Sequence, residues 1–172
     1  KIPYILDGGN CMVGVESTVI SVTGNEINIL RLGGVTVESI QDEIQDSKFK
    51  IQNSGKPILN IESSILNSPG QLKSHYAPKI LLRFGKMEDL LAKYSYQKKA
   101  ILSFTQKYSG ENIVAEEILS TNGDLHESAR NLFSALRKLD NSQAEIILAE
   151  KFPEHGLGLA INDRLESTTT EK

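Results

Sequence analysis

Hydrophobic positions gather in short runs rich in β-branched residues over the first thirty residues and then recur at helical spacing, so the chain announces strands before helices. Residues Met12 to Thr23 read MVGVESTVISVT, rich in β-branched side chains. A polar Gly24-Asn25-Glu26 separates them from Ile27-Asn28-Ile29-Leu30-Arg31, which predicts two strands joined by a tight hairpin. In that hairpin Ser17 to Thr23 lie opposite Ile27 to Arg31. Gly33 and Gly34 stop the second strand, and Thr36 is placed to cap a helix on which Val37, Ile40 and Ile44 share a face. The opening Tyr4-Ile5-Leu6 also reads as strand. Ser47 to Ser68 is polar and poorly periodic, with one short strand expected at Ile58 to Ile61.

Beyond Pro78 the pattern becomes regular. Lys79 to Phe84 predicts a strand, Met87 to Tyr94 a short helix, Ala100 to Phe104 a strand and Ile113 to Leu119 another. Asp124 then opens a strong helix, with Glu127 at capping-box spacing and Leu125, Ala129, Leu132, Phe133, Leu136 and Leu139 on one apolar face. Ala144 to Ala149 has the composition of a buried strand, and Gly156 to Leu165 of a closing helix, followed by a frayed tail from Ser167 to Lys172. Alternating strands and helices predict a small three-layer α/β domain, Rossmann-like, with a mainly parallel sheet.

Composition narrows the class without naming a function. The 172 residues are 39% hydrophobic, with a formal net charge of −3, which argues against a surface devoted to nucleic acid or membrane. No apolar run approaches the roughly 18 residues needed to span a bilayer. A single cysteine, Cys11, excludes an intrachain disulfide framework and suits a reducing cytoplasm; beside an apolar stretch it reads as a small core residue. The positive charge is local. Between Asn67 and Lys86 stand Lys73, Lys79, Arg83 and Lys86 with no acidic residue among them, and the overlapping stretch Leu66 to Pro78, LNSPGQLKSHYAP, carries the turn-forming Pro69-Gly70 beside His75 and Tyr76. It is either a solvated connection or a segment that meets phosphate, carboxylate or base.

Candidate chemistry is sparse. His75, His126 and His155 are scattered, near no cysteine or carboxylate at ligand spacing, so no metal site is expected. Gly156-Leu157-Gly158 is similar to part of a dinucleotide fingerprint, but Ile161 stands where a third glycine belongs, and close packing is the better reason for these glycines. There remain Ser17 and Thr18, expected inside the first strand, and Arg31 at the end of its partner. Two hydroxyls and a guanidinium suit a phosphate or carboxylate, because arginine presents a fork of donors. A surface arginine beside half-buried hydroxyls is the other reading, and residue types alone favour it.

Five segments in order shift that balance. DGGNCMVGVESTVISV, ILRLGGVT, SPGQLKSHYAPK, ARNLFSALRKLD and GLGLAINDRL resemble the second half of the long, two-domain L-threonylcarbamoyladenylate synthases of the YrdC type. The resemblance runs from Leu6 to Leu165. It implies a nucleotidyltransferase that condenses L-threonine, bicarbonate and ATP, with Mg²⁺, into threonylcarbamoyl-adenylate for the modification of adenosine beside the anticodon of tRNA. It further implies that residues 1–62 are the C-terminal part of a YrdC-like α+β catalytic domain, 63–78 a linker that folds over the cleft, and 79–172 an accessory α/β domain. Ser17 and Thr18 then fall in a ligand-contacting strand, Arg31 in a turn that reaches nucleotide or threonine, and His75 and Tyr76 in the lid. Leu32 stands where the family usually has proline. The family's N-terminal half, with its basic and serine/asparagine nucleotide-binding segments and most of the expected ATP and Mg²⁺ contacts, is not represented, so the chain is expected to be a fragment inactive alone. Catalytic residues are not assigned.

A different class of function remains open. The basic stretch and the accessory domain could recognise RNA or a partner of the tRNA-modification machinery without catalysis, through Lys98, Lys99, Arg137 and Lys138. Acidic residues are interspersed, and after Leu66 the two signs balance at 14 each.

Overall fold

The computed structural model describes residues 3–9, 11–24, 26–46, 58–61 and 77–169. Two sheets organise them. In the first, β1 (Val19–Thr23) runs antiparallel to β2 (Glu26–Arg31), and β3 (Ile58–Ile61) joins β2 in parallel. The hairpin turns at Gly24, whose φ of 61° lies in the left-handed region that glycine enters without strain. The register pairs Val19 with Arg31 and Ile20 with Ile29, so an irregularity separates Val19 from Ile20. Helix α1 (Val37–Asp46) follows, capped where the Thr36 hydroxyl accepts the Ser39 amide at 3.2 Å.

The second sheet is wholly parallel, in the order β4 (Leu81–Gly85), β7 (Ile146–Glu150), β5 (Lys99–Ser103), β6 (Ile113–Ile118). Helices lie on both faces. Ile101, Ile146 and Leu148 pack with Met87 and Leu90 of α2 (Met87–Lys93) on one side. Leu82, Ala100, Leu102, Ile147 and Ala149 pack on the other with α3 (Leu125–Asp140) and α4 (Leu157–Thr168). Odd and even strand positions therefore serve different layers, and the period of two makes this a three-layer unit. The order β-α-β-β-α-β-α matches the expectation for residues 79–165.

The cap of α3 is a relay rather than a simple box. The Asp124 carboxylate accepts the amides of His126 and Glu127 at 2.7 and 3.3 Å, while the Asp124 amide donates to the Ser120 hydroxyl, which itself donates to the Glu127 carboxylate. The closing helix runs further than the sequence suggests. Ser167 and Thr168 belong to α4, and Thr168 is buried with its hydroxyl donating to the Leu165 carbonyl, so the frayed tail does not begin at Ser167.

Three other expectations are corrected. Tyr4, Ile5 and Leu6 are exposed and outside any strand. Cys11 is exposed as well, not a core residue. Glu16, Ser17 and Thr18 precede β1 instead of lying inside it, because their hydrogen-bonding groups turn to the Arg31 side chain and to the loop after β2 rather than to a ladder. Among the described residues no helix is long and apolar enough to cross a membrane.

Candidate functional site

The end of the hairpin concentrates the polar residues singled out by sequence. Arg31 donates from Nε to the Ser17 carbonyl at 3.0 Å and from Nη2 to the Ser17 hydroxyl at 2.9 Å. One residue thus receives both arms of the fork, and the guanidinium plane is set by it. Thr18 faces the other way. Its hydroxyl donates to the Val35 carbonyl at 2.6 Å and accepts the Val35 amide at 3.1 Å, fastening the segment to the turn after β2. The Gly34 amide adds a 2.8 Å bond to the Glu16 carbonyl. The turn is pressed so closely on this segment that a Cβ at Gly33 would lie 2.3 Å from the Glu16 carbonyl oxygen and 2.5 Å from the Thr18 nitrogen. Only glycine fits there.

Ser17, Thr18 and Arg31 are therefore gathered within one turn, but in two roles: Ser17 meets the arginine, and Thr18 ties the backbone. His75 and Tyr76 lie outside the described residues, as does Lys73. His126 and His155 are exposed, and among the described residues no group of three or more His, Cys, Asp or Glu side chains could hold a metal ion. At Gly158 packing decides, since a Cβ would meet the Pro153 carbonyl oxygen at 2.0 Å.

Charged residues from α4 complete the surroundings, and residue types had not signalled them. Arg164 is buried and forms an ion pair with Glu16; burial holds its pKa below the usual arginine value. Asp163 keeps part of its surface in solvent, yet the protein crowding its carboxyl raises its pKa, with Glu166 adding to the rise and Arg31 opposing it. The available signal was an arginine in the apolar stripe of AINDRL, three residues after Ile161 and one before Leu165, a place where a cation needs a partner.

Of the four residues considered for RNA, Lys98, Arg137 and Lys138 are exposed and Lys99 is not. Lys99 is 2% exposed, and its ammonium donates to the carbonyls of Ser95 and Glu111 at 2.9 and 3.0 Å. Lys138 pairs with Glu117 at 3.0 Å, and Arg83 donates to the Tyr94 hydroxyl at 3.2 Å. A hollow of ≈190 Å³ lined by Ala77, Pro78, Phe133, Leu136, Arg137 and Asp140 includes none of Ser17, Thr18 or Arg31.

Residues 35–168 match the family model described as threonylcarbamoyl-AMP synthase, C-terminal domain. The chain belongs to the threonylcarbamoyl-AMP synthase family. It is 35% identical to the threonylcarbamoyl-AMP synthase of Pyrococcus abyssi over 98% of this chain and 50% of that protein. The Bacillus subtilis synthase is 33% identical over 96% of this chain and 48% of its own length. The Schizosaccharomyces pombe synthase is 34% identical, again over 96% of this chain, and 44% of its own length is covered. The chain thus spans about half the length of the curated relatives it matches. Among solved structures it is similar to P. abyssi Sua5 complexed with L-threonine, with a TM-score of 0.73 and 31% identity over 95% of this chain and 48% of the other. A form of the same synthase with an adjacent histidine and tyrosine both changed to alanine aligns with a TM-score of 0.65 and 28% identity, over 95% of this chain and 45% of that one. Ser17, Thr18 and Arg31 precede the stretch matched by the C-terminal-domain model.

Proposed function

We propose that this chain supplies part of the site at which a threonylcarbamoyl-AMP synthase joins L-threonine, bicarbonate and ATP. In that reaction the threonine amine and bicarbonate give a carbamate with loss of water, and the carbamate's carboxylate oxygen attacks the α-phosphorus of ATP. A P–O bond forms to the carbamate, the bond to pyrophosphate breaks, and threonylcarbamoyl-adenylate results for use by the tRNA-modification machinery. The observation that carries the reading is the doubly bonded contact of Arg31 on Ser17. A guanidinium already held in orientation meets a carboxylate or phosphate oxygen with little reorganisation, and Ser17 adds a hydroxyl at the same place. The L-threonine bound to the P. abyssi relative supports an amino-acid carboxylate as one occupant.

We read residues 1–62 as part of the YrdC-like catalytic domain, 63–78 as the linker and 79–172 as the Rossmann-like accessory domain, in a cytoplasmic enzyme. Thr18 shapes the site through Val35, and His75 and Tyr76 close it against water. The solved variant changed at an adjacent histidine and tyrosine lends interest to that pair. Mg²⁺ would be held mainly by the half of the relatives' length that this chain does not cover, and no step here is routed through the ion; among the described residues no group of three or more His, Cys, Asp or Glu side chains could hold a metal. Recognition of RNA is the weaker alternative, because Lys99 is turned inward and Lys138 is paired.

The test is a polypeptide of the relatives' full length carrying this sequence as its matching half, assayed for pyrophosphate release and for adenylate formed. Arg31→Ala removes a charge-assisted contact of about 1.5–3 kcal/mol and is expected to lower kcat/KM roughly ten- to a hundred-fold. Tyr76→Ala is expected instead to raise pyrophosphate released per adenylate recovered, as activated intermediate meets water. Full activity in Arg31→Ala removes Arg31 from the site, and an unchanged ratio in Tyr76→Ala removes the lid. The 172-residue chain alone is expected to make no adenylate.

A further inference from the structure

The last helix reaches back to the start of the chain at two points, the segment before β1 and the helix α1. Arg164, on the buried stripe of α4 with Ile161 and Leu165, pairs with Glu16. At the start of the same helix the Gly156 amide donates to Glu38 Oε1 at 3.0 Å, in the first turn of α1. Glu16 is thereby held at its side chain by α4 and at its carbonyl by the Gly34 amide. The next residue is Ser17, which takes both bonds from Arg31. Because Gly33 leaves no room over Glu16, Ser17 and Thr18, a shift at Glu16 has to be passed on to the turn that follows Arg31.

We infer that Arg164 is a positioning residue: from the accessory unit it fixes Glu16, and through Glu16 the orientation of the Ser17–Arg31 pair that receives the substrate. The inference deepens the functional reading above and rests on it for the identity of the substrate. It assigns the α/β unit a part in the geometry of the site, beyond serving as a support. A plain packing role for Arg164 would lower stability and leave Arg31 where it is.

Two variants separate these roles. Arg164→Met keeps the aliphatic bulk and removes the charge, and Glu16→Gln removes the partner's charge from the other side. In the 172-residue chain, hydrogen exchange is followed by NMR at the Gly34 amide and at Arg31 Nε–H, with the amides of Leu102 and Ala149 as internal references. Exchange at Gly34 and Arg31 is expected to quicken at least tenfold in each variant, with the references unchanged. Unaltered exchange at Arg31 in a folded variant overturns the inference, and where Arg164→Met fails to fold, Glu16→Gln alone decides. In the full-length polypeptide, L-threonine titration is expected to show about tenfold weaker binding for both variants; equal affinity beside altered exchange also overturns it. A wild type that takes no threonine defeats the functional reading instead, and exchange then judges the brace without a ligand.

Discussion

A single methyl group is enough to test the hairpin end. Gly33→Ala drives a Cβ to 2.3 Å from a backbone oxygen that cannot swing away, so the segment bearing Ser17 must move. The expected cost is about 2 kcal/mol in urea unfolding, within the range for overpacking. Gly110 makes the contrast: its added Cβ would meet only Ile113 Cδ1 at 3.6 Å, and Gly110→Ala is expected to change stability by less than about 0.5 kcal/mol. Residue types singled out Ser17 and Arg31, because a guanidinium and hydroxyls are recognisable one at a time, and the family resemblance was needed to give them a role. They did not point to Arg164, whose partner stands 148 positions earlier, because pairing across such a distance leaves no local pattern. Lys99 was misread for a related reason. A lysine opening a strand ordinarily faces water, and two backbone carbonyls able to accept its ammonium are not visible in a sequence.

At the scale of elements, period was the reliable signal. Helix α3 followed from its apolar face, and that face is core: Leu132 is fully buried. Leu132→Ala is expected to cost roughly 2–5 kcal/mol and Asp124→Ala about 1 kcal/mol, both read from chemical unfolding. Ends were less legible. Thr168 looks like tail because it is polar, but satisfying its hydroxyl on Leu165 makes it compatible with a buried helix terminus. The contact between α1 and α4 carries a pH signature. The Gly156 amide holds the Glu38 carboxyl below its usual value of 4.5, with Thr36 and the charge of His155 contributing further. A depressed acid favours the folded contact above the ordinary value and loses that contribution as pH falls through the folded one. The Gly156 amide shift is therefore expected to titrate with a midpoint below 4.5, and Glu38→Gln to abolish the transition.

For the whole molecule, the consequence is mechanical coupling of two sheets. Arg164 is buried and Glu16 keeps 24% of its side chain in solvent, so breaking the pair belongs at the low end of the range for buried ion pairs, about 3 kcal/mol. Calorimetry of Arg164→Ala is expected to show the first sheet melting ahead of the second, whereas the parent melts as one. A single transition in the variant would mean that Val15 and the other apolar contacts suffice to join them. The buried ammonium of Lys99 offers a separate use. Lys79, Lys86 and Lys98 are exposed and will be acylated promptly by an amine-directed reagent, while Lys99, sealed at the head of an interior strand, reacts only when that strand lets go. Mass spectrometry of the Lys99 peptide would then count openings at the head of that strand, a clock already built into the sequence.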